Sequence, residues 1–430
     1  MIRTIRYTGQ RTEELLNRAS APQKDVTAVV EDILAQVKER GDEAVLDYCE
    51  KCDGSRPESL LVTEAEIDAA FASVDAELLE TMRKAAQNIE RFHAQQKRSG
   101  FIDAKEDGVV VGQRVLPLAS AGLYVPGGTA RYPSSVLMDV IPAKIAGVKN
   151  IVMTTPPDKE GNIPPVMLAA AKIAGVSTIV KLGGAQAIAA LAYGTQSVPR
   201  VDKIVGPGNI FVQTAKRLCA SQGLIDIDMI AGPSEILVIA DGASNPAYVA
   251  ADLLSQAEHD RLSAAWLITD SEALAQAVTE ELERQLPALS RADFARASID
   301  NNGRIIVAPD LKIAAKVAND VAPEHLELCV DDPFALLPLI VNAGSVFLGR
   351  YCPEPLGDYF AGPNHTLPTS GTARFSSPLG VDDFCRRTSY IYYTKEALLK
   401  VGADVRRFAQ SEELTAHANA VAVRMEDADE

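Results

Sequence analysis

The 430-residue sequence predicts an α/β fold of two consecutive doubly wound, incomplete Rossmann-like units, with an N-terminal helical segment and a small C-terminal helical tail. Three observations lead there. From about residue 110, short apolar β-branched runs alternate with helix-period segments, the pattern of a parallel sheet covered on both faces. The rhythm starts again near residue 235, with no sequence repeat between the halves. The first hundred residues instead carry 3.6-residue periodicity beneath many charges. The expected boundaries are 1–109 for the helical segment, 110–234 and 235–380 for the two units, and 381–430 for the tail.

Taken in order, Asp25–Lys51 and Glu64–Lys97 read as helices, the first broken at Gly41-Asp42. His93, in Arg-Phe-His-Ala-Gln-Gln-Lys, reads as a solvated side chain on a charged face. The first unit is expected to place strands at Val109–Leu116, Asn150–Thr155, Thr178–Leu182 and Lys203–Val205. Helices are expected at Ser134–Ala146, Pro164–Ala174, Ala185–Tyr193 and Asn209–Ala220. In the second unit, strands are expected at Glu235–Ala240, Ala264–Thr269, Gly303–Ala308 and Ser345–Leu348. Between them, Asn245-Pro246 starts a helix whose apolar residues Val249, Leu253 and Leu254 fall at helical spacing. Helices at Ser271–Leu286 and Leu311–Val321 complete it. Residues 381–393 read as irregular, and Lys395–Phe408 and Glu412–Ala420 as two short tail helices.

Composition narrows the classes. A 47% hydrophobic, 23% charged chain is that of a soluble globular protein, and its length exceeds one ordinary core. A net charge of −16 argues against nucleic acid and anionic membrane surfaces. The longest uncharged apolar run, 333–349, is interrupted by Pro338, Asn342 and Gly344, so it is not a membrane span. The N-terminus lacks the apolar core of a signal peptide, and the expected compartment is the cytoplasm. Six cysteines are too few for a disulfide framework, and Cys49-Glu-Lys-Cys52 lacks the second pair of a structural zinc site.

Several stretches carry polar groups suited to chemistry. Gln256 and His259, three apart at the end of their helix, lie on one face and make half of a metal site; a polar last turn with a solvated histidine is the alternative. Ligands bind at the carboxyl ends of strands in open parallel sheets. Three glycine loops are expected there: Ala121-Gly-Leu-Tyr-Val-Pro-Gly-Gly128, Lys181-Leu-Gly-Gly-Ala-Gln186 and Val205-Gly-Pro-Gly-Asn209. Each alone is a tight turn; together they suggest a crevice for an anionic ligand, though G-x-G-x-x-G is absent. Adjacent Glu324 and His325 are a possible base pair or a satisfied surface pair. The Gly/Pro-rich stretch from Pro355 offers Asp358 as a hard ligand and His365 as a loop-packing side chain. Glu412 and His417 lie in the tail, where a lone histidine is ordinarily exposed.

Eight of these stretches occur together and in order: Gly-Leu-Tyr124-Val-Pro-Gly-Gly, Gly-Gly-Ala-Gln186-Ala-Ile, Val-Gly-Pro-Gly-Asn209, Ala-Gly-Pro-Ser234-Glu, Gln256-Ala-Glu-His259-Asp, Pro-Glu324-His325-Leu-Glu, Gly-Asp358-Tyr and Leu-Thr-Ala-His417-Ala. In that set the sequence resembles the histidinol dehydrogenases over residues 110–420. The resemblance implies two NAD-linked oxidations of L-histidinol, through a bound aldehyde, to L-histidine, the last steps of histidine biosynthesis. It implies one zinc per subunit on Gln256, His259, Asp358 and His417. Substrate contacts would fall on Ser234, Gln256, His259, His325, Asp358, Glu412 and His417, and NAD contacts on Tyr124, Gln186 and Asn209. Glu324 and His325 would be the catalytic acid–base residues. It also implies a homodimer with shared sites, Glu412 and His417 reaching the partner's site from a swapped tail. Two rivals make different predictions: a zinc hydrolase with Glu324 as base needs no NAD, and a non-catalytic binding protein forms no NADH.

Overall fold

The computed structural model describes residues 1–16, 18, 25–54, 56–104, 106–127, 131–230 and 232–426. Gly128 of the first glycine loop and Ala231 of the Ala-Gly-Pro-Ser motif lie outside them. In chain order the strands are β1 (Arg3–Arg6), β2 (Phe101–Asp103), β3 (Val109–Pro117), β4 (Ser120–Tyr124), β5 (Asn150–Thr155), β6 (Thr178–Lys181), β7 (Lys203–Val205), β8 (Asp226–Ile227), β9 (Glu235–Ala240), β10 (Ala264–Thr269), β11 (Arg304–Val307), β12 (His325–Cys329), β13 (Ser345–Leu348) and β14 (Cys385–Tyr393). The chain divides into two compact units, residues 1–96 with 119–384, and residues 97–118 with 385–430.

The larger unit is a mixed α/β structure built on two parallel sheets. One runs β6-β5-β4-β7-β8 and the other β1-β11-β10-β9-β12-β13. All pairings within both are parallel. Residues of β9 and β10 are buried throughout, and their sequences, EILVIA and AAWLIT, are accordingly near-continuous apolar runs. The pleat sends neighbours to opposite sides. Ile236 and Val238 join the core under helices Pro246–Ala257 and Glu272–Gln285, while Leu237 and Ile239 join the core with helix Leu311–Val321. Cutting Leu237 to alanine costs about 2–5 kcal/mol, because a close-packed interior relaxes only partly around the void. The fully buried Trp266 keeps its indole N–H satisfied on the Asn302 carbonyl at 3.0 Å.

The structure departs from the sequence reading at specific places. Strand β3 is not the first strand of a parallel sheet: it pairs antiparallel with β14 and β2 in a three-stranded sheet of the smaller unit. The five-stranded sheet starts at β4 instead, inside the stretch read as a glycine loop. The supposedly irregular 381–393 contains β14, whose residues are mostly exposed, so no apolar alternation betrayed it. The N-terminal segment is not wholly helical, since β1 forms an edge of the six-stranded sheet against β11. Helix Glu64–Lys97 is two helices, Glu64–Ser73 and Ala76–Ala94, because Asp75 caps the second by accepting from the Leu78 amide at 2.9 Å. Strand β12, absent from the reading, begins at His325 itself.

His93 is also corrected: it is buried, not solvated. It turns inward from helix Ala76–Ala94, and its Nδ1 lies 2.8 Å from Gln96 Oε1. The amide oxygen only accepts, so Nδ1 carries the proton. Burial lowers the His93 pKa. The folded protein therefore resists a proton that the unfolded chain accepts, so stability is full above the unfolded value near 6.5 and is lost as pH falls through it. Urea midpoints at about pH 5 and about pH 7.5 should differ less in His93→Gln than in the parent; an identical pH dependence would contradict this assignment.

Candidate active site

The helix that opens the metal motif forms as its sequence dictates. Asn245 caps it, accepting from the Ala247 amide at 2.9 Å, with Pro246 in the first turn. It ends at Ala257, so Gln256 sits in its last turn and His259 just beyond. Gln256 is buried with an unpartnered Oε1. His259 is exposed, and its donor atoms, with those of Glu354 and Asp358, lie within 4.8 Å of one another. Glu354 was not singled out in the sequence. The signal was its i,i+4 spacing to Asp358, hidden by flanking Pro353 and Pro355. The Gly/Pro-rich stretch opens on a helical turn, Glu354–Leu356, running into a π-helical turn at Gly357–Ala361.

Second contacts fix these carboxylates. Ser255 Oγ donates to Glu354 Oε2 at 2.9 Å, and Glu327 Oε1 accepts from the Glu354 amide at 2.8 Å. His365 donates from Nδ1 to the Asp358 carbonyl at 3.0 Å and accepts from Ser135 Oγ at 3.1 Å. The reading of His365 as a loop-packing side chain therefore holds, and it ties the Asp358 turn to helix Pro133–Ala146. Asn364 adds a bond to the Met138 carbonyl at 2.6 Å, and Thr366 one to Asp139 at 3.0 Å.

At the centre stands His325, buried at the amino end of β12. Its Nδ1 is 3.0 Å from the Glu235 carbonyl and must donate to it. Nε2 is thereby left as the working atom, buried without a hydrogen-bond partner, 3.7 Å from Asp358 Oδ1 and 3.9 Å from Glu354 Oε1. Glu324 Oε2 lies 3.7 Å from Nδ1 and accepts from the Glu235 amide at 2.8 Å. Burial lowers the His325 pKa, but Glu324, Asp358 and Glu354 outweigh it and raise it to about 10. Burial pushes Glu324 up to about 7 and Glu354 up to about 8. Burial raises Asp358 too, but the histidines beside it hold it down at about 2. Beneath them Arg18 grips Glu235 at 3.0 and 3.1 Å and donates to the Val321 carbonyl at 2.6 Å, bracing the turn that delivers Glu324.

This group gathers at the amino ends of β9, β10 and β12, whereas the sequence reading looked to carboxyl ends. Ser234 immediately precedes β9, Glu324 precedes β12, and His259 lies on the approach to β10. The glycine loops do follow that rule. Tyr124 ends β4, Gly183-Gly184 follows β6 and Gly206 follows β7. The Gly184 amide donates to the Tyr124 hydroxyl at 3.1 Å, and Gln186 is buried with its Nε2 unpartnered. Asn209 caps helix Ile210–Ser221, accepting from the Phe211 and Val212 amides at 3.0 and 3.2 Å, which leaves its amide N–H groups to a ligand. Glu412 and His417 belong to the smaller unit and are exposed; neither is in the His259–Glu354–Asp358 group.

Comparison with known proteins bears on this arrangement. The family model described as histidinol dehydrogenase matches residues 16–425. A histidinol dehydrogenase of Halalkalibacterium halodurans is 54% identical over 398 residues, 93% of this chain and 93% of the relative. One of Listeria monocytogenes is 53% identical over 419 residues, 96% of this chain and 97% of the relative. The crystal structure of a histidinol dehydrogenase from Elizabethkingia anophelis is similar with a TM-score of 0.95 at 39% identity, covering 100% of this chain and 99% of that one.

Proposed function

The chain belongs to the histidinol dehydrogenase family and is an oxidoreductase of histidine biosynthesis; from that premise we propose how its residues share the work. L-Histidinol is oxidised twice, with NAD as oxidant and one zinc per subunit, through a bound aldehyde to L-histidine. The observation that carries this reading is the fixed orientation of His325: Nδ1 is committed to the Glu235 carbonyl, so Nε2 is the nitrogen left free, facing Asp358 and Glu354.

The residues present fit both groups. Gln256 offers a buried, unpartnered carbonyl oxygen three residues before His259, whose imidazole is grouped with the carboxylates of Asp358 and Glu354, and together they make a mixed nitrogen and oxygen set of the kind zinc takes. Gln256, His259, Asp358 and His417 are proposed as its ligands, with Glu354 adjoining. Tyr124, the unpartnered amide of Gln186 and the outward amide of Asn209 would hold NAD. When bound, NAD supplies the hydride acceptor, and zinc a cation that anchors the substrate's nitrogen atoms and offsets the carboxylates around His325.

The protein's own residues then divide the proton transfers. His325 Nε2 takes the alcohol proton as the first hydride leaves. Glu324, with its pKa lifted to about 7, is poised to take a proton from the water that adds to the aldehyde. As that water adds, the proton held by His325 passes to the former aldehyde oxygen, so His325 is free to accept again as the second hydride leaves. Ser234 lies at the amino end of β9 within this group and would contact substrate, as would Glu412 and His417 of a second subunit. The strand order in each sheet, with crossovers reversing at β4 and at β9, supports the doubly wound, Rossmann-like description. We read 119–234 as the NAD side and 235–380 as the side of metal and catalysis. No helix among the described residues is long and apolar enough to cross a membrane, and with a net charge of −16 this suits a cytoplasmic enzyme without nucleic-acid or membrane partners.

The test is absorbance at the NADH band. Histidinol with NAD should produce NADH, a chelator should abolish the signal, and added zinc should restore it. Full turnover in a preparation shown by elemental analysis to be metal-free would overturn the metal assignment. Cleavage of an amide or ester without NAD would favour hydrolase chemistry instead.

A further inference from the structure

Lys216 is an anomaly in its helix. It lies on Ile210–Ser221 among the core residues Val212, Ala215 and Cys219, and its side chain is wholly buried. Lysine is almost never fully buried unless paired, and burying an ion pair commonly costs more than its attraction returns. Its partner is Asp228, just past β8, which is also buried. The pair does more than neutralise itself. Lys216 Nζ donates to the Gly206 carbonyl at 2.9 Å, and Asp228 Oδ2 accepts from the Gly206 amide at 2.8 Å. Both backbone polar groups of one residue are thus held by the two ends of one ion pair.

Gly206 needs that hold. Its φ is +106°, and a Cβ there would come within 2.2 Å of the Tyr124 carbonyl oxygen. Asp139, buried next to this peptide, would stand 3.4 Å from the same Cβ. Three residues on, Asn209 caps the helix that carries Lys216, so the loop 206–209 is pinned at its start by the pair and at its end by the cap. We propose that Lys216 and Asp228 are a positioning pair for the dinucleotide loop, gripping both polar groups of Gly206 and so presenting Asn209 to NAD. The inference rests on the reading of Tyr124, Gln186 and Asn209 as the NAD side. The pair touches no substrate or cofactor; it acts through the loop.

The test separates positioning from mere packing. The double substitution Lys216→Met with Asp228→Asn keeps volume, removes both charges together and leaves the Gly206 carbonyl without its donor. In full-length, zinc-loaded enzyme, KM for NAD should rise about tenfold, while kcat at saturating NAD changes less than about threefold and KM for histidinol stays put. A structural role alone would lower the melting temperature or the titrated fraction of active sites and leave KM for NAD unmoved, and that result overturns the proposal. Should the variant not fold, hydrogen exchange of the parent enzyme decides. The Gly206 amide should be strongly protected without NAD, and free exchange there overturns the clamp. Asn209→Ala and Gln186→Ala guard the premise. If neither raises KM for NAD, the NAD reading itself fails; if they raise it and the double substitution does not, only the clamp fails.

Discussion

His325→Asn should lower the rate of both oxidations by about 100- to 10,000-fold, the range general-base removal commonly costs. The asparagine can still donate to the Glu235 carbonyl, so the β12 end keeps its shape while the proton acceptor is gone. Glu324→Gln should behave differently. Only the second oxidation consumes water, so this variant should oxidise histidinol to the aldehyde stage far better than it oxidises histidinal. Each variant is supplied with histidinol and, separately, with histidinal, and NADH is followed. If Glu324→Gln handled histidinal at the parent rate, the water-activating role would be wrong. The parent's rate should also rise with pH. Nε2 must be empty to accept a proton, and Glu324, Asp358 and Glu354 hold one there. A flat profile across the range where His325 titrates would argue against it as the base.

The second large effect is complementation between damaged chains. His259→Ala and His417→Ala homodimers should each be nearly inactive, since each removes one of the proposed ligands. His417 is exposed, in the unit formed by 97–118 and 385–430, whereas His259 belongs to the other unit. If the tail serves its partner in a two-fold exchange, chains unfolded together in equal amounts and refolded should pair at random, about half as mixed dimers. One site in each mixed dimer has an intact core and an intact tail, so about one quarter of all sites should recover. No recovery after verified heterodimer formation would mean each tail serves its own chain.

Local order was legible where local chemistry decides it. Asn245-Pro246 starts its helix and Asn209 caps another, because capping depends on a few neighbouring residues. The same holds for the buried runs of β9 and β10, whose continuity reflects burial on both faces. Where tertiary context decides, the sequence was mute. Strand β12 puts His325 and Glu327 in the interior, so its HLELC alternation looks like anything but a buried strand. Strand β3 reads as a sheet strand and is one, yet nothing in its residues says that its neighbours are β14 and β2. In the site, His259, Asp358, Glu324 and His325 stood out by type and motif. Glu354 did not, since its neighbours are prolines, and Arg18 did not, since its partner Glu235 lies 217 positions away. His93 misled outright: flanking charges suggested solvent, while the helix phase turned it inward.

The edge strand β1 has a consequence for how the molecule is made. Its four residues pair with β11 in register, Arg3 beside Arg304, so β1 leaves the ribosome about 300 residues ahead of the strand it pairs with. At roughly 5–20 residues per second, the intervening 300 or so take on the order of 15–60 s to synthesise. Throughout that interval β1 has no strand to pair with, and the six-stranded sheet stays open along that side. A nascent chain halted short of residue 304 would keep its five-stranded sheet within reach of completion and this one out of it. Translation itself thus imposes an order in which the five-stranded sheet can mature first, and the six-stranded sheet only once β11, β12 and β13 have been made.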